Sequence, residues 1–339
     1  MIKLVPAEGA ALEQILDATY DIWNEGLSRE AYARYYRAQL KTAWGIGNLT
    51  RLALVDGPAV LASAKLYAFA AMLDRRPVRV LGIGAVFTQP AHRGCGRARD
   101  LVERIVDRAS RDGVDVALLF SEIGAEYYSR LGFEAVPTSD LVLRVKESER
   151  HGAPATLVRS GEPRDFTDIV SMGRVRSDKY RFHLDRDLEL VRYGIAKKRL
   201  LAGLGPAGAR ELWCFIAEEG ASAVAYVVVS VGSGAREAAR TPEAERTHGA
   251  DWRIEECGDR DPSGARAGAI LQGLIAREPA ERRPAICGWL PWGFLPPQVT
   301  IVERRASREV MMIRPLSPAA RAAPPLGEDD VLYWRGDVF

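Results

Sequence analysis

A short segment rich in arginine and glycine has the residue types that bind a phosphate group. It follows a β-rich stretch that ends at Gln89-Pro90 and opens an amphipathic helical pattern over residues 97–111. The first amides of a helix have no intrahelical acceptor and lie at the positive end of its dipole, so they attract anions. The pattern predicts an anion-binding turn or, alternatively, a strand-to-helix turn whose glycines serve backbone geometry alone. The residues of the segment are Arg93, Gly94, Cys95, Gly96, Arg97 and Ala98.

The segment resembles the acyl-CoA signature of the GNAT N-acetyltransferase superfamily, (Q/R)-x-x-G-x-(G/A), here Arg93-x-x-Gly96-x-Ala98. The resemblance implies that the main-chain amides of residues 93–98 hold the pyrophosphate of acetyl-CoA. It also implies that the preceding strand parts from its neighbour. The main chain that would then face the acetyl and pantetheine groups belongs to Ala85, Val86 and Phe87.

Residues 121–133 resemble the second GNAT signature, a strand followed by a short helix that ends Y-x-x-x-G-F. The resemblance implies that Tyr128 donates a proton to the departing CoA thiolate. A phenol with a reference pKa near 10 stays protonated at neutral pH, which suits this role. Alternatively, Tyr128 packs beneath the cofactor. Tyr127 projects about 100° away on the same helix and is expected in the core or at the lip of the site.

Direct transfer to an amine, which the resemblance implies, requires a base. Deprotonating an amine of reference pKa near 10.4 at neutral pH costs about 4 kcal/mol, so we expect a carboxylate, or a water chain that ends on one. Glu122, at the carboxyl end of a buried strand, is the first candidate, or else a solvated rim carboxylate. Asp21 and Glu25 are weaker candidates and are more often surface charges. Cys95 lies in the phosphate-binding segment, so we exclude it as a nucleophile.

Two subfamily resemblances concern the acceptor. Residues 121–133 are similar to the corresponding segment of fungal lysine acetyltransferases, which implies free lysine as one acceptor. The chain is also similar to Eis-type aminoglycoside acetyltransferases, whose C-terminal carboxylate returns to the active site as a base. The aromatic residues of 334–339 indicate that this segment docks. We favour a tail that packs on its own domain over one whose Phe339 carboxylate reaches the site.

The elements around these motifs predict an α/β (α+β) fold in two domains. Residues 1–147 are predicted to form a GNAT domain with a central mixed sheet, including two helices with Ser28 as the N-cap of the second. Its last strand is predicted at 141–145, and a linker at 146–154. Residues 155–339 repeat the order of elements without repeating residues. They predict a degenerate GNAT-like domain that shapes the acceptor pocket.

The second half differs from the first in its strand–turn–helix segment. This segment lacks the R-x-x-G-x-G pattern, and its Asp259 and Asp261 would repel a pyrophosphate, so we expect that only the first half binds CoA. Trp289 and Trp292 are expected in the core or, alternatively, in the wall of the acceptor pocket. Residues 232–249 predict a mobile polar loop.

Composition excludes several classes of function. The 47 basic and 45 acidic residues give a net charge of +2, so no overall field attracts nucleic acid. No stretch approaches the ~20 apolar residues of a membrane span. The four cysteines contain no C-x-x-C pair, which argues against a structural metal site or a disulfide framework and fits a reducing, cytoplasmic setting.

These patterns predict an N-acetyltransferase that moves the acetyl group of acetyl-CoA, its cosubstrate, to a primary amine. The acceptor is predicted to be a small molecule, an amino acid or an aminoglycoside-like compound. Two alternatives stay open: an acyl-CoA-binding sensor without turnover, and an acetyltransferase of protein lysines. No metal, nucleic acid or membrane partner is expected, and the chain is either a monomer or a homodimer.

Overall fold

The computed structural model describes residues 1–146, 157–232, 251–279 and 283–339. The first half contains β1 (Ile2–Pro6), α1 (Gly9–Trp23), α2 (Arg29–Leu40), α3 (Ala43–Asn48), β2 (Leu49–Asp56), β3 (Ala59–Leu73), β4 (Arg76–Thr88), α4 (Arg97–Arg111), β5 (Val116–Ser121), α5 (Glu126–Ser129), β6 (Glu134–Val136) and β7 (Ser139–Val145). The second half contains β8 (Leu157–Ser160), α6 (Phe166–Ser177), β9 (Phe182–Leu184), α7 (Leu188–Leu204), β10 (Arg210–Glu219), β11 (Ser222–Gly232), β12 (Asp251–Asp259), α8 (Ala265–Ile275), β13 (Ile286–Gly288), β14 (Val299–Ala306), β15 (Val310–Pro315), α9 (Pro318–Arg321) and β16 (Val331–Leu332).

The strands form two mixed sheets, which confirms the predicted α/β class. The first sheet has the order β1-β2-β3-β4-β5-β15-β6, and β9 joins it by pairing with β3 and β16. The second sheet has the order β14-β7-β13-β12-β11-β10-β8. Within each sheet one central pair is parallel, β4 with β5 and β12 with β13.

The two halves of the chain exchange strands between the two sheets. Strand β7 pairs with β13 and β14 in the second sheet, although it was predicted to end the first domain. Strand β15 pairs with both β5 and β6 in the first sheet. Backbone hydrogen bonds therefore cross the domain division predicted near residue 147, which itself stays a prediction.

The helices cover the two faces of the first sheet. Helix α4 extends over the residues predicted for it, and its buried stripe packs on the face that includes Leu54 and Ile83. The opposite face, with Tyr67 and Phe69, packs against α7 and the C-terminal segment. The predicted N-cap is confirmed, because Ser28 Oγ accepts a hydrogen bond from the amide of Ala31 at 3.2 Å. The residues of the α4 stripe are Leu101, Val102, Ile105, Val106 and Ala109.

Several elements were not predicted from the sequence. Strand β14 was not predicted, because its exposed, charged residues are typical of a loop. It is a strand in the structure because β7 pairs with it. The short elements α3 and β6 were also missed. The predicted linker and polar loop lie, apart from their first residues, outside the described part of the chain. Among the helices of the described part, none has both the length and the apolar character that a membrane crossing needs.

The strand exchange predicts that residues 1–146 do not fold by themselves. Without β15, the edges of β5 and β6 lose their partners, and β7 loses both of its neighbours. Unpaired apolar strand edges favour aggregation. We therefore expect the 1–146 fragment to aggregate in size-exclusion chromatography and to lack the cooperative urea transition of the full chain. A monomeric fragment with a cooperative transition would contradict this expectation.

Candidate active site

Two central strands of the first sheet separate along their length. Strands β4 and β5 pair at Val80–Val116, Leu81–Ala117 and Gly82–Leu118, and no pair follows. Strand β4 nevertheless continues to Thr88, and β5 continues to Ser121 with its other edge on β15. A gap therefore opens between them, and the main-chain groups that border it can pair with a ligand.

A β-bulge lies on β4 next to this gap. Lys65 of β3 pairs with Gly84, but Ser63 pairs with Phe87, so Ala85 and Val86 together face one residue of β3. Ala85 has a φ of 46°, which is uncommon for a residue other than glycine. Bulges of this kind often redirect a strand beside an active site. The side chain of Phe87 is buried, so only its main chain can contact a ligand.

The arginine- and glycine-rich turn after β4 leaves its backbone open. Gly94 and Gly96 have φ values of 76° and 72°, and a methyl group on either would meet no atom within 4 Å. The first hydrogen bond of α4 runs from the amide of Asp100 to the carbonyl of Gly96, at 2.9 Å. The amides of the three preceding residues of α4 therefore have no intrahelical acceptor. Arg97 Nε is buried and has no hydrogen-bond partner.

The corresponding turn of the second half is already filled by protein atoms. It also has a glycine of positive φ, Gly264 at 74°, just before its helix. Oδ2 of Asp259 accepts hydrogen bonds from the amides of Arg266, at 2.8 Å, and Ala267, at 3.0 Å. A methyl group on Gly264 would lie 2.6 Å from the ring of Phe294. Of these two turns, the first alone keeps its helix-opening amides open to a ligand, and phosphate binding there stays a prediction.

Tyr128 lies in the core beneath the first sheet. Its ring makes edge contacts with Tyr127, 5.0 Å away, and Phe133, 6.0 Å away, measured between centroids. Burial, with a smaller contribution from Tyr127, raises the pKa of Tyr128 to about 12. The phenol is therefore protonated at neutral pH. A protonated phenol is compatible with both accounts of Tyr128, proton donor and packed side chain, and its role stays a prediction.

The three carboxylates considered as bases are all exposed. Glu122 lies in the turn after β5, where Ser121 Oγ donates a hydrogen bond to the carbonyl of Gly124 at 2.5 Å. Asp21 lies 3.6 Å from an arginine of α2, and Glu25 lies 3.1 Å from Arg210. Asp21 and Glu25 are thus surface charges, as the alternative to a base predicted, and each lies near an arginine.

The last residue, Phe339, packs against the first sheet. Its ring lies 4.6 Å from Tyr67, 5.6 Å from Phe69 and 5.5 Å from Phe120, between centroids. A methyl group on Gly82 would lie only 2.6 Å from the Phe339 ring. The main-chain oxygen of Phe339 faces the strand position just before the bulge. The favoured prediction, a tail that packs on its own domain, holds for Trp334, which lies in the core of the second half, but not for Phe339, which reaches the first sheet.

Buried polar contacts explain why the tail reaches this position. Asp337 forms an ion pair with Arg186 at 3.1 Å, and its main-chain oxygen accepts a hydrogen bond from the Tyr333 hydroxyl at 3.0 Å. Lys197 Nζ donates a hydrogen bond to the carbonyl of Val338 at 2.9 Å. The contacts with Arg186 and Lys197 join residues far apart in the sequence, so no local pattern indicates them.

The two tryptophans have different environments. Trp289 is buried, donates a hydrogen bond to Asp140 Oδ1 at 2.6 Å, and lies 5.8 Å from Phe120 between ring centroids. Trp292 is 52% exposed and lies under the guanidinium of Arg304. The expected core position is therefore correct for Trp289 and wrong for Trp292.

Two cavities lie on the same face of the first sheet. The larger, about 800 Å³, lies between α2 and α7 and is lined mainly by apolar side chains, together with Gln39, Tyr193 and Lys197. The smaller, about 10 Å³, reaches Tyr67 and Phe339 and shares Tyr193 and Lys197 with the larger one. Burial and the neighbouring Lys198 lower the pKa of Lys197 to about 7. Sequence analysis missed this region because α7 resembles an ordinary packed helix.

Residues 10–136 match the family model described as an acetyltransferase (GNAT) domain. A comparison with curated protein sequences gives no match. In the described residues, no group of three or more His, Cys, Asp or Glu side chains is arranged to hold a metal ion.

Solved structures share the fold over most of the chain. A GCN5-related N-acetyltransferase from Anabaena variabilis is 13% identical, with a TM-score of 0.67, over 94% of this chain and 74% of that one. A GCN5-related N-acetyltransferase from Kribbella flavida is 18% identical, with a TM-score of 0.66, over 95% and 73%. Eis1 from Mycobacterium abscessus is 14% identical, with a TM-score of 0.54, over 94% and 74%. At these identities the likeness concerns the fold.

The contact of Phe339 with β4 predicts an effect of a single added methyl group. We expect Gly82→Ala to destabilise the protein by about 1–3 kcal/mol in urea denaturation, since the new Cβ overpacks against the Phe339 ring. Removing that ring in the double variant with Phe339→Ala should restore part of the loss. Gly47→Ala, where a methyl group meets no atom within 4 Å, is the control. Equal effects at Gly82 and Gly47 would contradict this placement of Phe339.

Proposed function

We propose, from the premise that residues 10–136 form an acetyltransferase domain of the GNAT superfamily, that the chain transfers the acetyl group of acetyl-CoA to a primary amine of a small molecule. The observation that carries the proposal is the gap between β4 and β5 directly before an open, positively charged turn. Free cysteines at all four positions fit a reducing compartment, and we place the reaction in the cytoplasm.

Acetyl-CoA is proposed to bind along β4. Its pyrophosphate accepts hydrogen bonds from the main-chain amides of residues 93–98, next to the buried, unpartnered Arg97 Nε. Its pantetheine pairs with the main chain that borders the gap. The thioester then lies at the bulge. The strand residues whose main chain is proposed to contact the pantetheine and acetyl groups are Ala85, Val86 and Phe87.

The acceptor is proposed to enter from the face of the sheet that carries the two cavities. The ring of Phe339, held by the C-terminal contacts, covers Gly82 and Gly84 on this face. Helices α2 and α7 border the larger cavity. A protein lysine needs an open groove, whereas a space bordered in this way suits a small molecule.

The transfer is proposed to occur without an acyl-enzyme. The neutral amine attacks the thioester carbonyl, a C–N bond forms, and the C–S bond breaks as the intermediate collapses. Tyr128 gives its phenolic proton to the departing CoA thiolate. The proton lost by the amine passes to Glu122, directly or through water. General acid–base assistance of this kind typically contributes about 10² to 10⁴ in rate.

Binding at the turn can be tested at Cys95, whose side chain is exposed. We expect Cys95→Asp to raise the Kd of CoA about tenfold or more in calorimetric titration, because a carboxylate would repel the pyrophosphate. Cys95→Ser is the matched control and should change the Kd less than about twofold, since only the main chain of this residue is proposed to bind. Equal affinities of the two variants would exclude the turn as the pyrophosphate site.

The two adjacent tyrosines provide a test of the proposed acid. We expect Tyr128→Phe to lower kcat by about 10² or more, with little change in the KM of acetyl-CoA, because the thiolate loses its proton donor. Tyr127→Phe is the matched control and should stay within about threefold of the unaltered protein. Release of CoA thiol with a panel of amines is the measurement. Full activity of the Tyr128→Phe variant would remove Tyr128 from the mechanism.

A further inference from the structure

Two basic side chains lie side by side in the interior, beneath α2. Arg51 of β2 and Lys65 of β3 are paired residues on adjacent strands, and their side chains therefore share one face of the sheet. They are only 5% and 9% exposed, respectively. On the next strand, Lys65 pairs with Gly84, the residue just before the bulge.

Neither cation has a negatively charged partner in the described part of the chain. Lys65 Nζ donates a hydrogen bond to Gln39 Oε1 at 2.8 Å, and it lies over the rings of Tyr36 and Tyr67. The guanidinium of Arg51 lies 5.3 Å from the centroid of the Tyr36 ring. Its Nε and Nη2 atoms are buried and have no hydrogen-bond partner.

This arrangement is costly unless an anion completes it. Like charges directly opposite each other on paired strands destabilise a sheet, and a buried cation without a partner loses its hydration. Burial, followed by the charges of Lys197 and Arg51, lowers the pKa of Lys65 well below its usual value. The Oγ of Ser63, on the same face of β3, is also buried without a partner and can donate a further hydrogen bond.

The pair lies between the larger cavity and the expected position of the thioester. Gln39, the hydrogen-bond partner of Lys65, lines the cavity of about 800 Å³. Gly84, the strand partner of Lys65, precedes the bulge that is proposed to hold the acetyl group. Gln39 separates the two cations from the cavity, so an anionic group that enters by the cavity reaches them by replacing the Gln39 oxygen on Lys65, with an amine near the thioester.

We propose that Arg51 and Lys65 bind a carboxylate of the acceptor, so that the acceptor is an amino acid or a similar amino-carboxylate. The inference rests on the proposed function and names its substrate class. The planar guanidinium can bind a carboxylate through two parallel hydrogen bonds, and the ammonium adds a third. A polycationic acceptor of the aminoglycoside kind would instead meet two like charges.

The acceptor class is tested with matched pairs of amines. The twenty amino acids are compared with the amines that result from loss of their α-carboxylate, and kanamycin represents the aminoglycosides. We expect kcat/KM for the best amino acid to exceed that of its decarboxylated partner by at least about tenfold, since the ion pair is lost. Equal or better use of the decarboxylated amines or of kanamycin would overturn the proposal.

The two cations are tested by neutral substitutions. Arg51→Gln and Lys65→Met should each raise the KM of the best amino acid about tenfold or more, and leave kcat/KM for its decarboxylated partner within about threefold. Arg34→Gln and Lys41→Met, at exposed positions of and next to α2, are the matched controls. Circular dichroism checks folding. Equal losses of kcat/KM for the amino acid and for its decarboxylated partner would indicate a structural role and overturn the proposal.

A binding measurement separates this inference from the proposed function. N-acetylated amino acids and the matching N-acetylated amines are titrated calorimetrically into the unaltered protein saturated with CoA. Binding of the acidic member alone supports the site even if no amine is acetylated, in which case only the proposed enzyme activity fails. Turnover of amines without preferential binding of any acidic member would retain the enzyme and overturn the carboxylate site.

Discussion

The end of hydrogen bonding between β4 and β5 is the constraint on which the site depends. Beyond Gly82 and Leu118, each strand continues without the other as a partner. Strand β5 keeps its other edge paired with β15, so it remains part of the sheet while its inner edge opens. Buried main-chain groups rarely stay unpaired. The open inner edge therefore has to be satisfied by water or by a ligand that carries hydrogen-bond donors and acceptors.

The two helix-opening glycines show that backbone shape alone does not make a phosphate site. Gly96 and Gly264 have nearly the same φ, 72° and 74°, and each precedes a helix that packs on a sheet. At Gly264, the Asp259 carboxylate already accepts hydrogen bonds from the first helical amides, and Phe294 covers the glycine. At Gly96 the same positions are open. The second turn is therefore closed by its own side chains, while α7 and the C-terminal segment of the second half pack on the first sheet.

Local features were predictable from the sequence, and contacts between distant residues were not. The bounds of α4 and the Ser28 cap follow from periodicity and from a single side chain, so both were predicted correctly. The pairing of β7 and β15 was not, because alternating apolar residues do not tell which sheet a strand joins. The position of Phe339 depends on Arg186 and Lys197, which are more than a hundred residues away in sequence. One missed signal was available: Lys65 is the only charged residue in the apolar run of β3.

The cationic side chains of the interior differ in whether a carboxylate pairs with them. Arg186 is buried but pairs with Asp337 and Glu256, and so anchors the C-terminal segment. Arg51 is more completely buried, and within the described residues it has aromatic neighbours and no carboxylate. If burying a cation served only the fold, Arg51 would need a counter-ion as Arg186 does, because an unpaired buried charge costs several kcal/mol. A carboxylate that arrives with the acceptor supplies that counter-ion only when the site is occupied. The unpaired cations destabilise the empty site, and only an anionic acceptor relieves that destabilisation. The site is therefore selective for anionic acceptors.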